Sequence, residues 1–272
     1  MGLDIAKIKK EQEKIDQRIK EEIYQDLSEN LLNFLLDKDL KENFHEEKSR
    51  KRTEQSKRVI SYWVKKGVIK AEQNTEGGWF YFDRIESIWI DIVSELRDFG
   101  LDLDKIVRVR EELFDESIQN FKLIEFALIH SILKEPYLMI IYKDGTTSVT
   151  TTSVYSETIK SSNLPPHIVF NFFYLANQIF PNNNFELLGN LGLDNELKAS
   201  EMKVLYFIRT GDFQEIKIRM KDGDIYLVEG NRQLGNKEKI IDIINNASYQ
   251  NIEIRTEKGK IVNINSSEKF KI

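Results

Sequence analysis

Apolar residues recur at helical spacing near the start of the chain. A narrow isoleucine stripe within a polar segment predicts a helix over residues 5–27, and its members are Ile5, Ile8, Ile15, Ile19 and Ile23. Ser28 is expected to cap a second, better buried helix, whose apolar residues are Leu31, Leu32, Phe34, Leu35, Leu36 and Leu40. Residues 41–52 are almost all polar and are predicted to be loosely ordered.

The pattern becomes sharper from Ser56 onward. Ser56 is placed to cap a helix with an apolar face, and Gly67 stands where glycine commonly ends a helix. The text VIKAEQNTEGGWFYF then predicts a hairpin with its turn at 74–78. Asp83 is expected to cap an amphipathic helix that ends near Gly100, with these residues inward: Ile85, Ile88, Trp89, Ile92, Val93 and Leu96.

A further helix is predicted to begin at Asp102. Its apolar stripe continues as far as Ile132. A stripe of that length exceeds what one small domain covers, so part of it should pack outside its own domain.

After Pro136 the pattern changes to strands. Three segments predict β-hairpins with glycine in the turn: YLMIIYKDGTTSVTTTSV, EIKIRMKDGDIYLVE and NIEIRTEKGKIVNI. Helices are predicted for IVFNFFYLANQIF, for 195–209 before Gly211, and for KEKIIDIINNA, although VLYFI within 195–209 also fits a strand. The alternation in the hairpins indicates sheets with one solvated face.

Charge is distributed unevenly along the chain. The whole chain carries a net charge of -5, yet residues 48–70 carry a net charge of +8 and the segments on both sides are acidic. A dense cationic block within an acidic protein favours a polyanionic partner. A solvated basic loop is the alternative interpretation.

Several classes of function lack the residues they need. The chain has no cysteine, which excludes disulfides and thiolate sites. The histidines His45, His130 and His167 fit no metal-ligand spacing, and LLGNLGLDNE lacks the Lys-Ser/Thr of a phosphate loop. We therefore expect no catalytic residue, no cofactor and no enzymatic activity.

The chain has no apolar run of about 18 residues and no signal peptide, so we expect a cytoplasmic protein without membrane contact.

Three pieces of sequence carry a resemblance to a known family. SKRVISYWVKKGVI, EGGWFYF and IWIDIVSELRDFGLDLDKI resemble, in this order, the recognition helix, the wing and the following helix pair of the MerR family DNA-binding domain. The resemblance covers about residues 50–113, and the C-terminal region resembles no known effector domain. It implies a bacterial, sequence-specific transcription regulator that binds double-stranded DNA through a winged helix-turn-helix as a homodimer.

The resemblance and the element pattern together predict an α+β multidomain chain. Its expected parts are an N-terminal helical segment (1–47), a MerR-like winged-helix domain (48–113), a connecting or dimerisation helix (114–135) and an α+β region (136–272). A division of the last region into 136–190 and 195–272 is the alternative. The resemblance implies a dimer seam on the helix after the DNA-binding domain. The 103–133 stripe and the N-terminal isoleucine helix both suit that role.

The candidate DNA contacts lie on the predicted recognition helix, on the basic approach to it and on the wing. A helix fits the major groove, and its N-terminus favours phosphate. The candidates are Lys51, Arg52, Ser56, Lys57, Arg58, Ser61, Tyr62, Lys65, Lys66, Trp79 and Tyr81. Simple surface charge is the alternative for Arg58 and Lys65, packing is the alternative for Trp79, and Trp63 is expected in the core.

Two positions depart from the family pattern. Phe80 stands where the wing commonly has an arginine that reaches phosphate, which weakens the wing's expected grip on DNA. The text HEEKSRKRTEQ, where the first helix of the helix-turn-helix should lie, lacks an apolar face. Either that helix is degenerate or the Leu31–Leu40 helix replaces it.

The C-terminal region leaves the role of the protein open. Phe170, Phe172, Phe173 and Tyr174 predict either a pocket for a small-molecule effector or, as we favour, a packed core. Two alternatives to a regulator remain. One is an architectural DNA-binding factor of a phage or mobile element, of the excision, packaging or partition type. The other is an interaction scaffold that does not bind DNA.

Overall fold

A computed structural model describes residues 28–45, 55–73, 78–114, 121–161, 164–180, 197–234, 250–257 and 260–271. Helices and antiparallel strands follow one another there, which confirms the α+β class. The helices are α1 (Glu29–Leu35), α2 (Lys38–His45), α3 (Lys57–Lys65), α4 (Arg84–Asp98), α5 (Leu103–Phe114), α6 (Leu123–Leu133), α7 (Thr152–Ser161), α8 (Phe172–Ile179) and α9 (Ala199–Thr210). The strands are β1 (Glu72–Gln73), β2 (Phe80–Tyr81), β3 (Tyr137–Tyr142), β4 (Thr147–Thr151), β5 (His167–Asn171), β6 (Glu215–Lys221), β7 (Asp224–Leu234), β8 (Gln250–Glu257) and β9 (Lys260–Lys271).

The helix predicted after Ser28 is two helices. The Ser28 side chain caps α1 as expected, accepting a hydrogen bond from the Leu31 backbone at 3.2 Å. The chain then turns at Asp37, whose carboxylate accepts from the backbone N–H of Leu40 at 3.2 Å and starts α2. The prediction that 41–52 is loosely ordered is wrong for 41–45, because these residues continue α2 and bury Phe44. Residues 46–52 and the predicted helix over 5–27 lie outside the described residues.

The central helix α4 follows its prediction and is more deeply buried than predicted. The Asp83 carboxylate caps it by accepting from the Glu86 backbone at 2.7 Å. All six residues expected to face inward are buried, but Glu86, Ser87 and Ile90 are buried as well. Ile90 lies on the opposite side of the helix from Ile92, because α2 and α8 also pack against α4.

The long helix predicted from Asp102 is also two elements. Helix α5 ends at Phe114, and α6 begins at Leu123 after a segment outside the described residues. Every residue from Ile124 to Leu133 is buried, because α5, α8, α9 and β3 surround α6 within the same chain. The prediction of a continuous connecting helix over 114–135 is corrected, and the side chains of α6 are not available for a dimer seam.

The C-terminal half contains two antiparallel sheets. Strands in the order β4-β3-β5 form the first, and strands in the order β6-β7-β9-β8 form the second. The hairpins β3–β4, β6–β7 and β8–β9 confirm the three predicted hairpins. One face of the four-stranded sheet packs on α9 through Val228 and Phe270, and its other face carries charged residues such as Arg219 and Glu229.

Two C-terminal segments differ in detail from their predictions. The segment IVFNFFYLANQIF was expected to be a helix throughout, but its first part pairs with β3 as β5 and only the part from Phe172 is helical. The ambiguous VLYFI is helical within α9, which ends at Gly211 with φ 68°. The predicted helix KEKIIDIINNA lies outside the described residues.

The described elements share one hydrophobic core. Buried apolar residues form a single cluster that runs from Leu31 in α1 to Phe270 in β9. This cluster continues across residues 47, 113 and 135, where the sequence predicts domain limits; the division into domains stays a prediction. None of the helices in the described ranges is long and apolar enough to cross a lipid bilayer.

Candidate nucleic-acid interface

Helix α3 is a short amphipathic helix with defined ends. The Ser56 hydroxyl accepts from the Val59 backbone at 3.4 Å, and Gly67 adopts φ 74° directly after the C-cap. Ile60 and Trp63 are buried, which anchors one side of the helix in the core as predicted for Trp63. The other side is exposed over Ser56, Lys57, Arg58, Ser61, Tyr62, Lys65 and Lys66.

The exposed side of α3 is cationic. No acidic residue occurs between residues 55 and 70. Lys70 extends the exposed cations past the end of the helix, and Tyr62, 50% exposed, lies under the Lys66 ammonium with 6.0 Å from Nζ to the ring centroid. This side therefore presents positive charge and hydrogen-bond donors on a convex element narrow enough for the major groove.

The link from α3 to the wing is fixed by buried groups. Val68 and Ile69 are fully buried, and the Trp89 indole donates to the Val68 carbonyl at 2.6 Å. The Lys70 backbone N–H donates to the Glu86 carboxylate at 3.0 Å. These bonds set how far the wing stands from α3.

A buried ion pair lies behind this link. The Arg110 guanidinium of α5 donates to both carboxylate oxygens of Glu86 in α4, one of them at 3.0 Å from Nη1. Arg110 is 5% exposed, and its guanidinium lies 4.0 Å from the centroid of the Phe114 ring. Since a buried charge needs a partner, the pair ties α4 and α5 together beneath the wing.

The wing is a short hairpin next to the start of α3. Strands β1 and β2 pair antiparallel, and the tip at 74–77 lies outside the described residues. Trp79 is 53% exposed, and the Lys57 ammonium is 5.6 Å from its ring centroid. Phe80 is half-buried and packs against Phe82 with 6.4 Å between ring centroids, so this position supports the wing from the inside. Tyr81 is also half-buried.

Helix α2 precedes α3 and packs on α4, while α1 packs on α9. The Leu31–Leu40 helix, predicted as a substitute for the first helix of the helix-turn-helix, is therefore two helices that pack on different partners. His45 at the end of α2 connects three elements: Nδ1 is 3.0 Å from the Asp83 carboxylate and Nε2 is 2.7 Å from the Glu125 carboxylate.

These contacts change the protonation of the histidine. Burial by itself lowers the pKa of His45, but the hydrogen bonds to Asp83 and Glu125 outweigh burial and raise the pKa to about 9. Burial by itself raises the pKa of Glu125, because it favours the neutral acid. The hydrogen bond to His45 and the nearby Lys122 outweigh burial, so the pKa of Glu125 is lowered. Both ring nitrogens of a charged histidine donate, which matches a carboxylate on each side.

The structure brings nine of the eleven predicted contact residues onto α3 and the wing. Seven are the exposed residues of α3, and Trp79 and Tyr81 lie at the base of the wing. Lys51 and Arg52 lie outside the described residues. Sequence reasoning missed Glu86, Arg110 and His45, which position these elements, because a charged residue in an amphipathic pattern is ordinarily assigned to the solvent side.

The aromatic residues of the C-terminal region differ in burial. Phe172 is fully buried, Phe170 and Phe173 are half-buried, and Tyr174 is 62% exposed. Over the described ranges, no group of three or more acidic or histidine side chains is arranged to hold a metal ion.

Comparison with known families gives one result for the chain. Residues 50–113 match the family described as MerR HTH family regulatory protein. The match confirms the resemblance of these residues to the MerR winged helix-turn-helix, which belongs to a family of DNA-binding regulators. It covers less than a quarter of the chain and leaves the C-terminal region unassigned. Neither the curated proteins nor the solved structures compared with the chain gave a match.

Proposed function

We propose that this protein is a sequence-specific DNA-binding regulator of transcription, in which α3 enters the major groove of double-stranded DNA. The observation that carries the proposal is the division of α3 within the MerR-matched segment. Its apolar side is buried through Ile60 and Trp63, and its exposed side is free of acidic residues. Positive charge supplies the affinity for phosphate, and side chains in the groove read base edges.

Individual residues have distinct roles in this proposal. Arg58 contacts a base edge or a phosphate, while Lys57 and Lys65 contact phosphates. Ser56 binds phosphate at the N-terminus of α3, where backbone N–H groups favour anions. The remaining contacts to the DNA backbone come from Ser61, Tyr62, Lys66, Trp79, Tyr81, Lys51 and Arg52.

The C-terminal region regulates this DNA-binding unit in our proposal. Its support is the direct attachment of α9 and its following turn to the elements around α3. The Arg84 guanidinium, at the start of α4, binds the Asp212 carboxylate at 2.8 Å. Asp212 follows α9, so this ion pair is one of the contacts through which a change in the C-terminal region would reach the start of α4. A small-molecule effector remains part of this proposal.

A charge-reversal pair tests the interface. We expect Arg58→Glu with Lys65→Glu to weaken binding to duplex DNA at least about tenfold and to reduce the salt slope of log K by about 2, because two phosphate or base contacts are lost. The measurement is fluorescence anisotropy over a series of salt concentrations. The matched control is Lys134→Glu with Lys221→Glu, which changes the charge equally at exposed positions away from α3 and should leave binding nearly unchanged.

The outcomes separate the candidate roles. Protection of a short symmetric site in a footprint supports a regulator, whereas bending or coating of DNA with little sequence preference indicates an architectural factor. If the wild-type protein does not bind duplex DNA even at low salt, the DNA-binding proposal fails. A scaffold that binds an acidic partner is then the remaining interpretation.

A further inference from the structure

The three-stranded sheet has two outer strands that are covered very differently. In β4, four of five residues are buried, and the Thr147 backbone N–H donates to the Glu112 carboxylate at 2.6 Å. In β5 no residue is buried, and Val169 is 38% exposed. Among the described residues β5 pairs with β3 alone, so its outer edge offers backbone hydrogen-bonding groups to another strand.

The composition of β5 is unusual for a strand at an edge. Proteins commonly protect exposed edges with charged side chains, especially lysine, or with bulges. The outer strand β6 of the other sheet follows this rule, since it carries Lys217, Arg219 and Lys221 and a register shift beside Arg219. The opposite outer strand, β8, carries Glu253 and Arg255. By contrast, β5 reads His-Ile-Val-Phe-Asn and has no lysine, arginine or acidic residue.

We propose that β5 pairs antiparallel with β5 of a second copy of this chain, around a two-fold axis at Val169. The register places Val169 opposite its own copy, Ile168 opposite Phe170, and His167 opposite Asn171. Ile168 and Phe170 already pack against the core of their own protomer. The pair of a β-branched and an aromatic residue is favourable across strands, so the apolar face of the sheet continues from one protomer into the next.

The other face of β5 is equally compatible with self-pairing. His167, Val169 and Asn171 lie there, and the Tyr155 hydroxyl of α7 is 2.8 Å from His167 Nε2. Ile159, one helical turn beyond Tyr155, is 50% exposed and adds apolar surface on this side. A polar pair, an apolar pair and a second polar pair therefore face each other along this face.

Charge favours a second copy on β5 and opposes it on β6. The same two-fold pairing of β6 around Ile218 would place Lys217 opposite Arg219 of the other copy, and like charges directly opposite each other destabilise a sheet. Strand β5 brings no like charges together. An interface that is complementary to itself closes as a two-fold dimer, with the two three-stranded sheets joined into one.

This inference goes beyond the proposed function, because the pairing needs no DNA. It also provides a dimer surface in place of α6, which lies inside the core. Where the proposed function holds, each dimer would carry two copies of α3.

A cysteine cross-link tests the pairing directly, since the chain has no cysteine. Residues opposite each other in an antiparallel pair have Cβ atoms about 4.5 to 5.5 Å apart, close to disulfide distance. Mild oxidation of Val169→Cys should give a species of about 64 kDa on a non-reducing gel, twice the 32.0 kDa of one chain, and reductant should return it to a single chain. Ile218→Cys, on the β6 edge and 43% exposed, is the matched control and should run as a single chain on the same gel, because its cysteines are not opposite each other in the dimer. Absence of the Val169→Cys dimer, or equal cross-linking of the control, overturns the proposal.

A second variant tests the pairing without a covalent bond. Val169→Lys places a charge opposite its own copy, so we expect light scattering to show a single-chain mass in place of the wild-type dimer, with unchanged circular dichroism. Ile218→Lys should remain dimeric. A wild-type protein that is a single chain at the highest soluble concentration overturns the proposal. The DNA-binding proposal is tested separately by the α3 variants.

Discussion

Charged side chains inside this protein act as connectors. His45 shows this most directly, because its ring joins α2 to the cap of α4 at Asp83 and to α6 at Glu125. Two neighbouring carboxylates stabilise the protonated, charged form of a histidine in the folded chain. The raised pKa of His45 therefore makes the packing of α2 dependent on pH.

The direction of this dependence follows from the two pKa values. The pKa of His45 is about 9 in the folded chain and 6.5 as the unperturbed value. Because the folded value is higher, the stabilisation is complete below pH 6.5 and is lost as the pH rises through 9. We expect His45→Gln to lower the free energy of unfolding by up to about 3 kcal/mol near pH 6. The difference should shrink toward pH 10.

Denaturant unfolding of both proteins across this pH range measures the effect. The Glu125 pKa is shifted downward, so its contribution is lost only in acid and does not affect the alkaline range. A stability difference that stays constant from pH 6 to pH 10 would contradict the charge-based account of His45.

The structure of the winged unit, residues 48–113, depends on the contacts between its elements more than on any single helix. Helix α3 and the wing stand on α4 and α5, and Glu86 and Arg110 form the buried pair between those helices. The Glu86 carboxylate also accepts from the Lys70 backbone. One ion pair thus holds the helix pair and the start of the wing together.

Removing one member of this ion pair should lower the stability of the folded protein. We expect Arg110→Met to destabilise the protein by about 3–5 kcal/mol, because the Glu86 carboxylate is left buried without its partner. The double variant with Glu86→Gln should recover part of the loss, since no charge then remains buried. Arg108→Met is the control on the same helix, because Arg108 is exposed and should change stability by less than about 0.5 kcal/mol. Equal losses in the single and double variants would show that packing, and not the unpaired charge, is responsible.

At the scale of the whole molecule, one hydrophobic core and several polar contacts join the MerR-matched segment and its supporting helices to the C-terminal region. Lys203 of α9 is 3% exposed and binds the Asp37 carboxylate between α1 and α2 at 3.1 Å. Asn43 of α2 accepts from the Tyr206 hydroxyl of α9 at 2.9 Å. The C-terminal helix α9 therefore holds the helices that support the candidate interface.

A fragment experiment tests how far the winged unit is autonomous. We expect residues 48–113 alone to unfold with lower stability and lower cooperativity than the full chain, because both sides of α4 are buried in the full chain and the fragment lacks α2 and α8. Thermal melting followed by circular dichroism measures this. A fragment with a cooperative transition at the full chain's temperature would support an independent domain with the predicted limits.

Local patterns predicted much of the fold and of the interface. The caps Ser56 and Asp83, the stop at Gly67 and the hairpin turns were readable because each depends on neighbours within a few residues. The exposed residues of α3 followed from helical spacing. The break at Asp37, the strand β5 and the end of α5 at Phe114 were missed, because in each case tertiary packing divides a continuous apolar run.

By itself, the sequence determined the α+β class, the position of the winged unit and which side of α3 faces outward, because these depend on short-range periodicity and charge. Only the tertiary structure decided that α6 lies in the core, that Glu86, Arg110 and His45 are buried connectors, and that β5 lies at an edge. Burial and strand order depend on contacts between residues far apart in the chain, and one sequence carries no local signal of which distant elements meet.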